Sequence, residues 1–255
     1  MSRNSLDFAV EVNELTAAYE RTEVLSQVDW KVPVGHLAAV IGPNGGGKST
    51  LLKSLVGMVQ PRLGAVKIFG QRPGEVRGKV AYLPQAEEVD WSFPISVLQV
   101  VLQGRTIHHR WWQRNQTPDK MQALEALAKV KMEDYAERAI GALSGGQKQR
   151  VFIARALAQN ADLVIMDEPG TGLDSTAQHE LLDLFGEMKA AGHTVVISTH
   201  DLNCLAEHFD TVLGLNGRVL VEGPPREVLT GDIISSLFSR HFPVITPGGG
   251  VTMHD

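Results

Sequence analysis

One nine-residue stretch, Gly42-Pro43-Asn44-Gly45-Gly46-Gly47-Lys48-Ser49-Thr50, constrains this chain more than any other. An apolar run, residues 36–41, precedes it and reads as a buried strand. Leu51, Leu52, Leu55 and Val56 follow at helical spacing. Strand, GxxxxGK[ST] and helix in that order form a phosphate-binding loop. Its glycines let successive backbone N–H groups turn toward one anion, and the helix N-terminus adds partial positive charge. Lys48 has the reach of a mobile point charge for β- and γ-phosphates, and Ser49 offers a hydroxyl to Mg²⁺. The expected ligand is a nucleoside triphosphate.

A chain of 255 residues can bury one large core, or a core with a small inserted subdomain. The net charge of -5 speaks against nucleic acid as an obligatory partner. A single cysteine, Cys204, leaves no internal disulfide and fits a reducing compartment. No apolar run approaches the length of a membrane span, and the first seven residues lack the apolar stretch of a secretory signal. A cytoplasmic protein is expected, with any membrane link made through a partner.

Residues 8–16 alternate apolar and polar, as a half-buried strand does, and residues 24–32 form a second such run on the far side of a turn at Tyr19. Residues 65–69 and 79–82 read as short strands, and together this first third is expected to form a small antiparallel sheet beside the nucleotide-binding core. From residue 96 to 141 the periodicity becomes helical, with Thr117-Pro118-Asp119 as a helix start, so an inserted helical subdomain is expected at about residues 92–142. Strands and helices then alternate again. A helix opens at Ser144, an apolar strand covers 163–166, and a helix covers 175–190. A buried strand at 194–199, a helix at 201–208 and a hairpin turning at Asn216-Gly217 follow. Residues 1–240 are expected to form one domain, with 241–255 a loose tail.

Further motifs stand at the ends of these elements. Asp167 and Glu168 follow four apolar strand residues, at the end of a strand where open α/β sheets bind ligands. Asp167 is expected to hold Mg²⁺, directly or through water. Glu168 is expected to activate the attacking water as a general base or by positioning it. Ser144 and Gln147 form an S-x-x-Q capping box. That box leaves Gly145 and Gly146 unexplained, because each glycine costs a helix about 1 kcal/mol relative to alanine. Close approach of a ligand or backbone to this helix start would explain them, and the exposed N–H groups would make it a second anion site. His200 ends the 194–199 strand, placed to touch a γ-phosphate and hold the water and Glu168 in line.

Taken in order, these segments resemble the ATPases of ABC transporters. Gly42–Thr50 resembles the Walker A loop, Gln85 the Q-loop residue, and Leu143-Ser144-Gly145-Gly146-Gln147 the signature. Residues 163–168 resemble Walker B, Asp174 the D-loop aspartate, and His200 the H-switch. The resemblance runs from Tyr19 to the early 230s. It implies an α/β fold, with a P-loop NTPase core of mostly parallel sheet flanked by helices, an antiparallel β-subdomain and the inserted helical subdomain. It implies ATP and Mg²⁺ as cofactors, with Gln85 serving both catalysis and the metal. It also implies a head-to-tail homodimer in which the signature of one copy caps ATP on the other, which would account for Gly145 and Gly146. Tyr19 then stacks on adenine, or else packs on the edge of the small sheet.

The segment from Tyr82 to Val97 resembles the ATPase subunits of manganese, zinc and iron importers that use an extracytoplasmic metal-binding protein. The resemblance implies integral membrane permease subunits as partners and a place on the cytoplasmic face of the membrane. Trp91, Phe93 and Pro94 are expected to form an apolar dock for the permease, rimmed by Glu87, Glu88 and Asp90, unless the two aromatics pack the helical subdomain instead. Lys148 is expected to point away from the nucleotide, with little consequence. The chain has nine histidines, but the adjacent His108 and His109 would diverge by about 100° on a helix and could not chelate one ion together. The rival readings are a soluble ABC ATPase outside transport and a transport ATPase for another substrate.

Overall fold

The computed structural model describes residues 7–20, 22–85, 91, 93–108, 117–202, 205–238, 244–245 and 251–252. Two strands, β1 (Phe8–Tyr19) and β2 (Thr22–Pro33), form a long antiparallel pair, and β4 (Leu63–Ile68) joins the other side of β1. Tyr19 is thus the last residue of a strand rather than part of a turn, with Thr22 as its partner.

The central sheet has six strands. β3 (Leu37–Ile41) lies between β7 (Thr194–Thr199) and β8 (Thr211–Leu215). β6 (Leu163–Asp167) and β5 (Val80–Leu83) continue beyond β7, and β9 (Val219–Gly223) closes the other edge. All neighbours are parallel except β8 and β9, a hairpin. One strand differs from the expectation drawn from its sequence. The short strand near residues 79–82 does not belong to the antiparallel sheet: Val80 to Leu83 pair with Leu163 to Met166 of β6. Its alternating burial suits a sheet edge of either kind, so periodicity alone does not choose the partner.

Side chains of the central strands point alternately to two cores. Ala39, Ile41, Val164, Met166, Val195 and Ile197 face one, which is filled by α2 (Val97–Gln103), α3 (Thr117–Lys129), α4 (Gly145–Gln159) and α5 (Ser175–Ala190). Ala38, Val40, Ile165, Val196 and Leu213 face the other, shared with α1 (Lys48–Leu55) and the antiparallel sheet. Strands covered on both faces read as unbroken apolar runs, which is why β3, β6 and β7 were recognisable in the sequence.

The helix expected at 201–208 is shorter in the structure. The described part is α6 (Leu205–His208), and Asn203 and Cys204 lie outside the described residues. α7 (Pro225–Val228) and α8 (Gly231–Phe238) follow the hairpin. In the tail, β10 (Val244–Ile245) and β11 (Val251–Thr252) pair with each other. The loop residues His109 to Trp112 and the acidic Glu87, Glu88 and Asp90 also lie outside the described residues. Among the described residues no helix is long and apolar enough to cross a membrane.

Candidate functional site

Strand register assembles the site. Ile41 of β3 lies beside Thr199 of β7, Ser198 of β7 beside Asp167 of β6, and Met166 of β6 beside Leu83 of β5. The phosphate loop, His200, Glu168 and Gln85 therefore leave the sheet from four adjacent strand ends, the place where open parallel sheets bind ligands. These residues line one cleft of about 950 Å³, together with Ser49, Thr50 and Thr171.

The phosphate loop is held from below by the β8–β9 hairpin. The Gly217 amide donates to the Gly46 carbonyl at 2.9 Å, and the Ser26 amide to the Gly217 carbonyl at 2.8 Å. Gly42 has φ 152, and a Cβ there would fall 2.0 Å from the Leu215 carbonyl oxygen, so no side chain fits. Gly47 has φ 94 and caps α1; its Cβ would lie 2.5 Å from a methyl of Leu25.

Lys48 is 5% exposed. Its ammonium donates to the carbonyls of Gly42 at 3.0 Å and Pro43 at 3.2 Å, and lies 3.6 Å from Glu168 Oε1. The other carboxylate oxygen of Glu168 accepts from the Thr171 hydroxyl at 3.2 Å and stands 3.4 Å from His200 Nδ1. Glu168 is thus nearly buried between a cation, a hydroxyl and an imidazole that is itself 57% exposed toward the cleft. Its φ of 48 places a non-glycine residue in the left-handed region, a conformation that costs about 1–3 kcal/mol and is held by surrounding contacts.

One such contact comes from Ser198, which the sequence reading missed. The Glu168 amide donates to Ser198 Oγ at 2.9 Å, and Ser198 Oγ donates to Asp167 Oδ1 at 2.5 Å. The sequence signal was faint, because Ser198 is one of three hydroxyl residues in β7, with Thr194 and Thr199 at its ends. Ser198 is fully buried, and Asp167 is 1% exposed. Ser198→Ala should lower unfolding stability by about 1–3 kcal/mol, the cost of leaving a buried polar partner unpaired. Given the role expected of Glu168, it should also slow ATP hydrolysis by loosening that residue's backbone. A thermal melt and a phosphate-release assay indistinguishable from the parent's would refute both effects.

Asp167 Oδ2 is buried and, among the described residues, has no hydrogen-bond partner. An orphaned carboxylate oxygen, with the Ser49 hydroxyl and the Gln85 amide lining the adjacent cleft, is a set of hard oxygen donors. That chemistry fits Mg²⁺.

The other predicted residues lie elsewhere. Ser144 caps α4 as expected: the Gln147 amide donates to Ser144 Oγ at 3.3 Å, and the Ser144 amide to Gln147 Oε1 at 3.0 Å. Leu143 is buried, whereas Ser144 and Gly145 are exposed. A Cβ on Gly145 would meet nothing within 4 Å, but one on Gly146 would lie 3.0 Å from a Leu173 methyl, a local reason for that glycine. Asp174 caps α5 through the Ala177 amide at 2.8 Å. Neither the signature, Asp174 nor Tyr19 lines the phosphate-loop cleft of its own chain, and Tyr19 is 48% exposed.

Trp91 is half-buried against the helix-side core, its ring 4.9 Å from Phe152 of α4 in an edge-on contact. Lys148 lies over that ring at 5.1 Å from its centre, so it links the signature helix to the segment after Gln85. Phe93 is 64% exposed and Pro94 is exposed beside it. Of the three residues expected to dock a partner, the latter two are the ones turned fully outward.

A protein-family model described as ABC transporter matches residues 25–171. The zinc transport system ATP-binding protein TroB of Treponema pallidum is 44% identical over 242 residues, covering 91% of each chain. The manganese transport system ATP-binding protein MntB of Bacillus subtilis is 44% identical over 223 residues, covering 88% of this chain and 89% of its own. Among solved structures, cbiO1 of Clostridium perfringens, part of the ABC transporter complex cbiONQ, superposes with a TM-score of 0.77 at 28% identity. That match covers 90% of this chain and 94% of the other.

Proposed function

Because the chain belongs to the ABC transporter family as an ATP-binding subunit, we propose that it powers the import of a divalent transition metal, manganese before zinc or iron, through a separate membrane permease. The observation that carries the catalytic half is the meeting of Lys48, Glu168, Thr171 and His200 at one cleft beneath the phosphate loop. The names of the relatives carry the choice of metal.

In this reading the loop from Gly42 to Thr50 cradles the ATP phosphates, and Lys48 turns from the Gly42 and Pro43 carbonyls to the β- and γ-phosphates. Ser49, Asp167 and Gln85 would hold Mg²⁺, which when bound neutralises phosphate charge. Glu168 accepts the proton of the attacking water or positions it, while Thr171 and His200 hold its carboxylate in place. Ser198 keeps the Glu168 backbone in its left-handed turn. Tyr19 is assigned to the adenine.

The signature Leu143–Gln147 serves a second copy. The exposure of Ser144 and Gly145, and the signature's absence from its own chain's cleft, support a head-to-tail homodimer in which Gly145 admits the partner's triphosphate and Asp174 borders the joint. Phe93 and Pro94 meet the permease, and Trp91, packed on Phe152, transmits that contact to the signature helix. The permease holds the chain at the cytoplasmic face of the membrane, and an extracytoplasmic metal-binding protein delivers the cargo.

Cells lacking this chain should lose high-affinity uptake of radioactive manganese, and the parent chain should restore it while Glu168→Gln does not. Unchanged manganese, zinc and iron uptake in the deletion strain would overturn the transport reading.

A further inference from the structure

We propose that Phe238, the last described residue of α8, is a binding residue for the nucleotide's base, a wall of the cleft supplied from the far end of the domain. The proposal rests on the reading of the cleft as an ATP site. Phe238 lines that cleft beside the phosphate loop, and Val24 is its aliphatic companion there. Among the described residues of that lining, the apolar side chains are those of Val24, Pro43 and Phe238, and the rest are glycine, polar or charged. A purine base is the portion of ATP that needs an apolar, polarisable surface, because its faces stack while its edges stay hydrated.

The fold holds Phe238 at a set distance from the phosphate loop. Its neighbour Leu237 is fully buried and packs on β8 at Gly214, where an added Cβ would lie 3.6 Å from both Leu237 methyls. The next residue of that strand, Leu215, is the one whose carbonyl oxygen touches Gly42. The strand that supports the phosphate loop therefore also anchors α8. Phe238 itself is half-buried, resting against the helix-side core with the remainder of its surface open. Tyr19, at the end of β1, is not among the described residues that line the cleft; Phe238 takes one face of the base and leaves the other to Tyr19.

The test is calorimetric titration of the full chain and its Phe238 variants with Mg–ADP, alongside competition by inorganic pyrophosphate, which has phosphates but no base. Phe238→Ala should weaken ADP binding about 5- to 30-fold, the span expected for losing one base–aromatic stack at a half-open position. Pyrophosphate affinity should stay within twofold, and Phe238→Trp should bind ADP within threefold of the parent. In steady state the alanine variant should raise KM for ATP with little change in kcat. An ADP affinity within twofold of the parent for Phe238→Ala overturns the proposal. So does an equal loss for ADP and pyrophosphate, which would mean that Phe238 merely supports the loop. A parent chain that binds neither ligand would instead remove the ATP site, and with it the premise.

Discussion

Glu168→Gln will bind ATP about as well as the parent chain, yet turn over at least about 10²-fold more slowly, within the 10²–10⁴-fold span of a lost acid–base group. Glutamine has the same shape, can still accept from the Thr171 hydroxyl, and should keep the left-handed turn that Ser198 supports. What it lacks is the negative charge and the capacity to take a proton. Lys48, 3.6 Å from the native carboxylate, loses a counter-charge, which leaves it freer to turn toward phosphate. In the head-to-tail homodimer proposed above, the variant with ATP should accumulate in the closed form, visible as a doubled mass in size-exclusion chromatography. Phosphate release at the parent's rate would show that Glu168 is not the base.

Lys48→Met should reduce ATP affinity by at least about 100-fold. A hydrogen bond to a charged group is worth about 1.5–3 kcal/mol, and the ammonium is positioned to make two such contacts to the triphosphate. Methionine preserves most of the aliphatic stem in a position that is 5% exposed, so the loss reports charge rather than packing. The ammonium donates to the Gly42 and Pro43 carbonyls, and other contacts hold the same loop. The variant should accordingly retain a folded loop, since the Gly217–Gly46 hydrogen bond and the Leu215 contact remain. Calorimetry with ATP checks this; a Kd within threefold of the parent's would exclude phosphate contact by Lys48. The two variants differ in kind: one loses binding, the other loses turnover after binding.

Much of the site was legible because each motif is a contiguous stretch whose chemistry is local. The glycine pattern before Lys48 lets the backbone curl, and the structure uses that freedom at Gly47, with φ 94, and at Gly42, where no Cβ fits. The S-x-x-Q spacing at Ser144 forms its reciprocal cap within one turn of helix. Acids and a histidine directly after apolar runs land at the ends of β6 and β7. Less legible were residues whose role depends on a distant neighbour. Ser198 looked like one more strand residue until β6 and β7 paired in register with Asp167. Trp91 read either as part of a dock or as packing in the helical subdomain, and Lys148 as a charge of little consequence; the two meet beside Phe152. Phe238 carried no motif.

The sequence by itself determined that the chain builds a phosphate loop, a capped helix start with two glycines, and strand ends bearing Asp167, Glu168 and His200. Those features depend on backbone conformations that neighbouring residues impose on one another. Only the tertiary structure decided which strand lies beside which, and so that β5 joins the central sheet, that Ser198 braces Asp167 and Glu168, and that α8 brings Phe238 to the cleft. The reason is physical: alternation of apolar residues states that a strand has a buried face, but the partner that buries it is chosen by packing across tens of residues, which no local pattern encodes.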